Sequence, residues 1–201
     1  ALASPARARP GTYPVEVTLA GRRQAGKLQA RQGLLARQLK VAPTLDGVLD
    51  EWTEPSSAAR FRRFGAGDTL TQQTRVWVGY DRAALYLAFH CAEDRMAQLR
   101  ANVTQPDGPV WQDDDVAIFL DPGASRGTYY QLEINSLGTV FDSSNDDRSW
   151  DSGARTGARH DGAAWILEVA IPWDDLATVA RPGQRWGINL GRQQKSRPET
   201  S

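Results

Sequence analysis

The sequence predicts an all-β fold, an antiparallel β-sandwich of the immunoglobulin or jelly-roll type, from two observations. Strand-sized segments of alternating or apolar residues recur at short intervals, and Gly, Pro, Asn, Asp or Ser residues separate them. No segment shows the long 3.6-residue periodicity of an amphipathic helix. Many short strands joined by turn residues are typical of two sheets packed face to face.

Composition narrows the classes of function. The 201 residues carry 24 basic and 24 acidic side chains, so the formal net charge is zero. The sequence therefore predicts no nucleic-acid partner, because nucleic-acid-binding proteins usually carry an excess of basic residues. No run of about 18 apolar residues occurs, so no membrane span is predicted. The single cysteine, Cys91, lies in a strand-like segment and is expected to be buried. The sequence contains no nucleophile–base motif, zinc-ligand spacing or phosphate-binding loop, so it does not predict an enzyme.

The chain is expected to consist of two parts. Residues 1–14 are rich in Ala, Arg and Pro, which is typical of a linker. Residues 15–19 alternate as a short strand, residues 21–26 indicate a turn, and residues 27–40 allow a strand or a short helix. We therefore expect residues 1–39 to be a linker or the tail of a preceding domain, and residues 40–201 to form the sandwich.

A predicted strand near the middle of the sequence is preceded by an aromatic residue and three acidic residues. Residues 116–120 are apolar on both alternating faces and end at the turn signal Asp121-Pro122-Gly123. Trp111 and three consecutive aspartates precede this strand. A ring beside fixed oxygens suits a polar, ring-shaped ligand, and clustered carboxylates suit calcium. Alternatively, Trp111 caps the core and the aspartates form a solvated loop.

The next strand carries a polar face. Residues 129–135 alternate strictly, so Tyr129, Gln131, Glu133 and Asn135 share one side of the strand. Amides and a carboxylate in a row beside aromatic rings suit the recognition of hydroxyl groups. The same pattern is also expected of a strand whose outer face is simply solvated.

Six segments, taken in order, resemble the family 9 carbohydrate-binding modules. The resemblance runs from about Lys40 to Arg192 and includes the central strand and the polar strand described above. The segments are residues 44–52 (TLDGVLDEW), 78–89 (VGYD and LYLAF), 114–122 (DDVAIFLDP), 130–138 (YQLEIN and a glycine), 162–172 (EVAIP at its end) and 186–192 (WGINLGR).

The resemblance implies a DOMON-like β-sandwich that binds sugars without catalysing a reaction. It further implies that the protein is secreted, exposed on the cell surface or periplasmic, and that the module adjoins other domains, such as a glycoside hydrolase or a surface protein. The implied partner is an oligosaccharide or polysaccharide, for example the chain ends of plant glucans or xylans. Structural calcium is also implied, and we expect its ligands to be Asp113, Asp114 and Asp115.

The family holds a sugar between two tryptophans, and the first of these matches Trp111. Gln131 and Asn135 match polar positions of the site, whereas a sugar-binding acid falls at Ala117 and a sugar-binding arginine falls at Glu133. The resemblance places the second ring after Arg192, where the sequence has no tryptophan. Either the native protein continues past Ser201, or Trp150 supplies the second ring, or this member binds another ligand. The predicted carbohydrate-binding residues are Trp111, Gln131, Glu133, Asn135, Trp150 and Arg192.

Two other functions compete with sugar binding. One is a structural spacer or interaction domain whose sugar site has decayed, which the departures at Ala117 and Glu133 favour. The other is electron transfer, because some DOMON-like relatives hold a b-type haem. Its candidate ligands here are Met96, His90, His160 and Lys195.

Overall fold

The computed structural model describes residues 11–19, 22–30, 34–53, 61–65, 70–179, 181–197 and 199–200. The chain divides into two compact units, Ala1–Leu34 and Leu35–Ser201. In the first unit, β1 (Gly11–Leu19) and β2 (Arg22–Ala30) pair as an antiparallel hairpin. The turn expected over residues 21–26 is therefore mostly strand, because Leu19 already pairs with Arg22 and Gly26 lies within the ladder.

The described part of the second unit forms two five-stranded sheets. The first sheet has the order β3-β4-β5-β10-β9, and the second has the order β12-β11-β6-β7-β8. Neighbouring strands are antiparallel, except that β3 runs parallel to β4. The strands are β3 (Arg37–Gln38), β4 (Thr74–Tyr80), β5 (Ala84–Ala92), β6 (Asp115–Asp121), β7 (Tyr130–Asn135), β8 (Val140–Ser144), β9 (Arg155–His160), β10 (Ala164–Pro172), β11 (Gly187–Gln194) and β12 (Glu199–Thr200).

Alternation along the strands builds the core between the two sheets. In the first sheet, register sets Val76 beside Phe89, and Phe89 beside Leu167. In the second sheet, Ile118 lies beside Leu132. All five side chains are buried, so the predicted all-β sandwich is confirmed.

A loop covers the outer face of the first sheet. Trp52 Nε1 donates a 2.8 Å hydrogen bond to Glu168 Oε1, and the N–H groups of Asp46 and Gly47 donate to Oε2 of the same carboxylate at 3.1 and 2.8 Å. The backbone of Leu45 lies so close to Gly157 on β9 that a Cβ there would lie 2.2 Å from the Leu45 carbonyl oxygen. Residues 44–52 are thus tied to the sheet by one buried carboxylate and one close backbone approach.

Two further features bear on the sequence predictions. Cys91 is fully buried, and burial raises the pKa of its thiol to about 11, so it is a core residue as expected. Leu39 packs against Gly79 of β4, so the chain joins the sandwich a few residues before the expected boundary at Lys40. No helix among the described residues has the length and apolar character needed to cross a bilayer.

Candidate functional site

On the outer face of the second sheet, the small residues Ala117 and Gly191 lie side by side and form what we call the floor of the site. Ala117 on β6 is the register partner of Gly191 on β11 and of Glu133 on β7. Because the core residues of β6 point inward, Asp115, Ala117 and Phe119 point outward. The two positions at which this chain departs from the family pattern, Ala117 and Glu133, are therefore direct neighbours across two strands.

Trp111 lies at one side of this floor. It belongs to the single-turn 3₁₀ helix Val110–Gln112, which is anchored by the fully buried side chain of Val110. The Trp111 ring packs edge-on against Phe141, with 5.2 Å between centroids and 84° between planes. Phe141 is the register partner of Glu133, so the half-buried indole lies on the same face as that carboxylate.

Arg148 adds a cation to the aromatic pair. Its guanidinium carbon lies 5.7 Å from the Trp111 ring centroid and 5.4 Å from that of Phe141. Such distances are typical of cation–π contacts. Arg148 itself is exposed on the loop after β8, so a ligand could displace it from the indole.

Gln131 and Glu133 lie side by side on the outer face of β7, as their spacing predicts. Gln131 Nε2 donates a 2.9 Å hydrogen bond to Glu133 Oε1. Glu133 Oε2 is buried and has no hydrogen-bond partner among the described residues. Burial raises the pKa of Glu133, while the hydrogen bond from Gln131 and the charges of Lys195 and Arg148 oppose that rise.

Asp115 is the most unusual group of the face. Its side chain is fully buried, and within the described part of the chain neither of its oxygens accepts a hydrogen bond. Burial, followed by the charge of Glu133, raises the pKa of Asp115 to about 8, although the ammonium group of Lys195 acts in the opposite direction. That ammonium donates a 2.7 Å hydrogen bond to Gln193 Oε1, not to either carboxylate.

The sequence did not assign Asp115, Gln193 or Lys195 to a ligand face. The sequence predicts Asp115 as a calcium ligand within an acidic triplet, whereas its outward direction follows from alternation with the buried Val116 and Ile118 of β6. Gln193 and Lys195 come from β11 and the turn after it, far along the chain. Residues 192–196 are polar at every position, so no alternation in the sequence assigns Gln193 and Lys195 to one face.

Asn135 is a correction to the predicted site. It is fully buried, and its amide nitrogen donates to the Val103 carbonyl at 2.8 Å and to Asp113 Oδ2 at 3.0 Å. Its amide oxygen accepts hydrogen bonds from the N–H groups of Leu137 and Thr139. Both ends of the amide are therefore occupied, and Asn135 stabilises the surrounding loops without facing a ligand.

Arg192 is a second correction. It points into the space between the sheets, is 2% exposed, and its guanidinium lies 3.5 Å from Glu93 Oε2. Its Cζ also lies 5.8 Å from the centroid of the core residue Trp165. Arg192 alternates with the outward-facing Gly191 and Gln193, so its strand position directs it away from the candidate site.

Trp150 does not form a second plate opposite Trp111. Its ring packs against Tyr130 at 4.9 Å between centroids, and its Nε1 donates to the Asp175 carbonyl at 3.3 Å. Tyr130 points to the opposite side of β7 from Gln131, because neighbouring strand residues alternate. The two tryptophans are therefore associated with different faces of the sheet.

The three consecutive aspartates do not converge on one point, as the ligands of a metal ion would, in the part of the chain that the structure describes. Asp113 Oδ2 accepts from the N–H groups of Asn102 and Val103, and the two oxygens of Asp114 accept from the N–H groups of Arg100 and Lys195. Asp115 alternates outward, and no three His, Cys, Asp or Glu side chains in the described ranges converge as metal ligands. The three aspartates therefore do not supply the ligand set expected for calcium, and structural calcium stays a prediction.

The candidate haem ligands are dispersed. His90 alternates with the buried Cys91 and lies on the outer face of the first sheet, whereas Lys195 lies by the outer face of the second. The sandwich core separates these two faces. His160 Nε2 forms a 3.0 Å hydrogen bond with the Ser136 carbonyl oxygen.

Comparison with known proteins agrees with this architecture. Residues 45–197 match the model of the family described as "Carbohydrate family 9 binding domain-like". That match covers most of the chain, and this protein belongs to the family 9 carbohydrate-binding modules. No curated protein sequence matches the chain significantly.

Solved structures show the same fold. A family 9 module from Caldicellulosiruptor kristjanssonii in complex with glucose has a TM-score of 0.57 and 17% identity, covering 82% of this chain and 85% of that one. A structure of a family 9 module from the same organism with cellotriose has a TM-score of 0.56 and 15% identity, covering 83% and 82%. At these identities the likeness establishes the β-sandwich and nothing finer.

Proposed function

We propose that this chain binds saccharides on the outer face of its second sheet. In this proposal Trp111 stacks against a sugar ring, while Gln131 and Glu133 contact hydroxyl groups. The supporting observation is that a half-buried indole shares one face with carboxylate oxygens that have no hydrogen-bond partner in the described part of the chain. Buried acceptors of this kind favour a ligand that supplies donors, since leaving them unpaired is costly.

The comparisons suggest which sugars to test first. The related structures were solved with glucose and with cellotriose, so glucose and β-linked glucans are the first candidates for this chain. We also propose that the module is extracellular or periplasmic and directs a larger protein, such as a glycoside hydrolase, to its polysaccharide. With a single stacking plate, we expect weak binding of monosaccharides, because few contacts offset the cost of association.

Calorimetric titration with glucose, cellobiose, cellotriose and xylobiose tests the proposal. We expect heat with at least one of these sugars, and loss of that heat in Trp111→Ala with little change in melting temperature. Trp150→Ala is the matched control, because it removes an indole associated with the other side of the sheet. Binding should persist in this control once its folded state is confirmed by circular dichroism.

A structural spacer is the competing function, and one observation favours it. Arg148 lies over the Trp111 ring, where a sugar would stack, so the ring already has a partner. If a panel of soluble glycans produces no heat with folded wild-type protein, the spacer function is the better conclusion. Binding that survives Trp111→Ala would instead place the sugar elsewhere on the chain.

A further inference from the structure

Three buried carboxylate oxygens lie on adjacent strands of the outer face. They are Asp115 Oδ1 and Oδ2 on β6 and Glu133 Oε2 on β7, and none has a hydrogen-bond partner among the described residues. Asp115 and Glu133 are diagonal neighbours, because Glu133 pairs with Ala117, two residues after Asp115. An ionised carboxylate accepts hydrogen bonds and does not donate them, so the cluster requires donors whenever both groups are ionised.

The charged groups around the cluster do not supply those donors. The Lys195 ammonium donates to Gln193 Oε1, and the Arg148 guanidinium lies over the rings of Trp111 and Phe141. The acidic neighbours Asp113 and Asp114 are already satisfied by backbone N–H groups. Among the residues that the structure describes, two carboxylates thus remain without a hydrogen-bonded cation.

A divalent metal is not the occupant that this cluster suits. Hard cations such as calcium take six to eight oxygen ligands. No third acidic, histidine or cysteine side chain among the described residues joins the cluster to complete such a site. An ammonium group needs fewer partners, because its three N–H donors match the three unpartnered oxygens.

We infer that the site selects saccharides bearing a protonated amino group, such as hexosamine units, over neutral sugars. The inference rests on the proposed function and names its ligand class. The small floor residues Ala117 and Gly191 are half-exposed and lie beside the carboxylates, so a sugar ring can approach closely. Glu133 and Lys195, which flank Asp115, are half-exposed and long enough to move aside for the amine.

Two disaccharides of the same linkage provide the test. Cellobiose and fully deacetylated chitobiose are both β-1,4-linked and differ in the amino groups at C2, and N,N′-diacetylchitobiose carries the nitrogen without its charge. We expect the wild-type protein to bind deacetylated chitobiose about tenfold more tightly than either other sugar, as an added charge-assisted contact would produce. Titrations belong near neutral pH, where the sugar amine still carries a proton and Asp115, whose pKa is about 8, can release its own when the amine binds.

Variants of the two carboxylates locate the effect. Asp115→Asn and Glu133→Gln should each bring the ratio of the two affinities close to one. Asp142→Asn is the matched control, because Asp142 is also buried but points to the other side of β8 and accepts from the Ser152 N–H. If Asp115→Asn does not fold, Glu133→Gln carries the test, since Glu133 is half-exposed.

The outcomes separate the two proposals. Equal affinity of the wild type for cellobiose and deacetylated chitobiose would overturn the inference and leave the proposed function intact. An amine preference that survives both carboxylate variants would also overturn it. Failure of the folded protein to bind any saccharide would overturn the proposed function, and the inference with it.

Discussion

At the scale of single residues, Asp115 has the largest effect on the chemistry of the outer face. Its pKa rises from 3.8 to about 8, because the buried carboxylate loses hydration and Glu133 adds a like charge. At pH values between 3.8 and about 8, Asp115 is protonated in the folded protein and ionised in the unfolded chain. The contribution of Asp115 to stability is therefore greatest in acid and decreases as pH rises towards 8.

Asp115→Asn tests this linkage. The amide cannot ionise, so we expect the variant to be more stable than the wild type at about pH 9 and to lose most of that advantage at about pH 4. A shift of one pKa unit corresponds to about 1.4 kcal/mol, so the difference at alkaline pH should be a few kcal/mol. Urea unfolding at both pH values measures it. The same difference at both would contradict an ionisation origin.

At the scale of elements, the loop formed by residues 44–52 passes so close to β9 that one position of this strand requires a glycine. Gly157 on β9 lies beneath the Leu45 backbone, and Gly47 has a φ of 74°. Glu168 accepts three hydrogen bonds from this loop, and they oppose the rise in its pKa that burial causes. The loop thereby satisfies the buried carboxylate and covers the outer face of the first sheet.

Gly157→Ala should destabilise the fold without touching the candidate sugar site. The added Cβ would lie 2.2 Å from the Leu45 carbonyl oxygen and 2.3 Å from its carbon, and backbone atoms move less readily than side chains. We expect a loss of about 1–3 kcal/mol or more. Gly127→Ala is the control, since its nearest atom would be 3.9 Å away. Equal unfolding midpoints in urea for the two variants would disprove this account.

At the scale of the whole molecule, a buried polar cluster joins the two sheets. Arg192 of β11 lies 3.5 Å from Thr74 Oγ1 on β4 and 3.5 Å from Glu93 Oε2, just beyond β5. Glu93 is fully buried and also accepts hydrogen bonds from Gln194, Ser196 and the Arg95 N–H. A buried ion pair of this kind is costly to break because the remaining charge has no partner.

Arg192→Ala should therefore affect stability more than sugar affinity. We expect about 3–5 kcal/mol of destabilisation, because the buried Glu93 would lose its ion-pair partner. Arg185→Ala, at an exposed position, should change stability by less than about 0.5 kcal/mol. Chemical unfolding gives both values, and titration of the folded fraction gives affinity. Weakened sugar binding at full stability would return Arg192 to the site.

Hydrophobic alternation was enough to predict the all-β sandwich and the strands over residues 116–120 and 129–135, which correspond to β6 and β7. It did not predict β9, whose residues Arg-Thr-Gly-Ala-Arg-His offer no apolar face. That strand forms because β10 supplies a complete ladder of hydrogen bonds along one side of it. A strand that is stabilised by pairing with its neighbour does not need an apolar face of its own, so its sequence shows no hydrophobic alternation.

From its residues alone, the chain was predictable as an all-β sandwich with Gln131 and Glu133 side by side on one face of β7. Which polar residues are available to a ligand depends on the assembled sheets. Asn135 and Arg192 are bonded internally, Trp150 packs on Tyr130, and Asp115 lies diagonal to Glu133 on the neighbouring strand. The physical reason is that alternation is a local property of a strand. Register between strands distant in sequence sets which donors and acceptors meet, and therefore which remain unsatisfied.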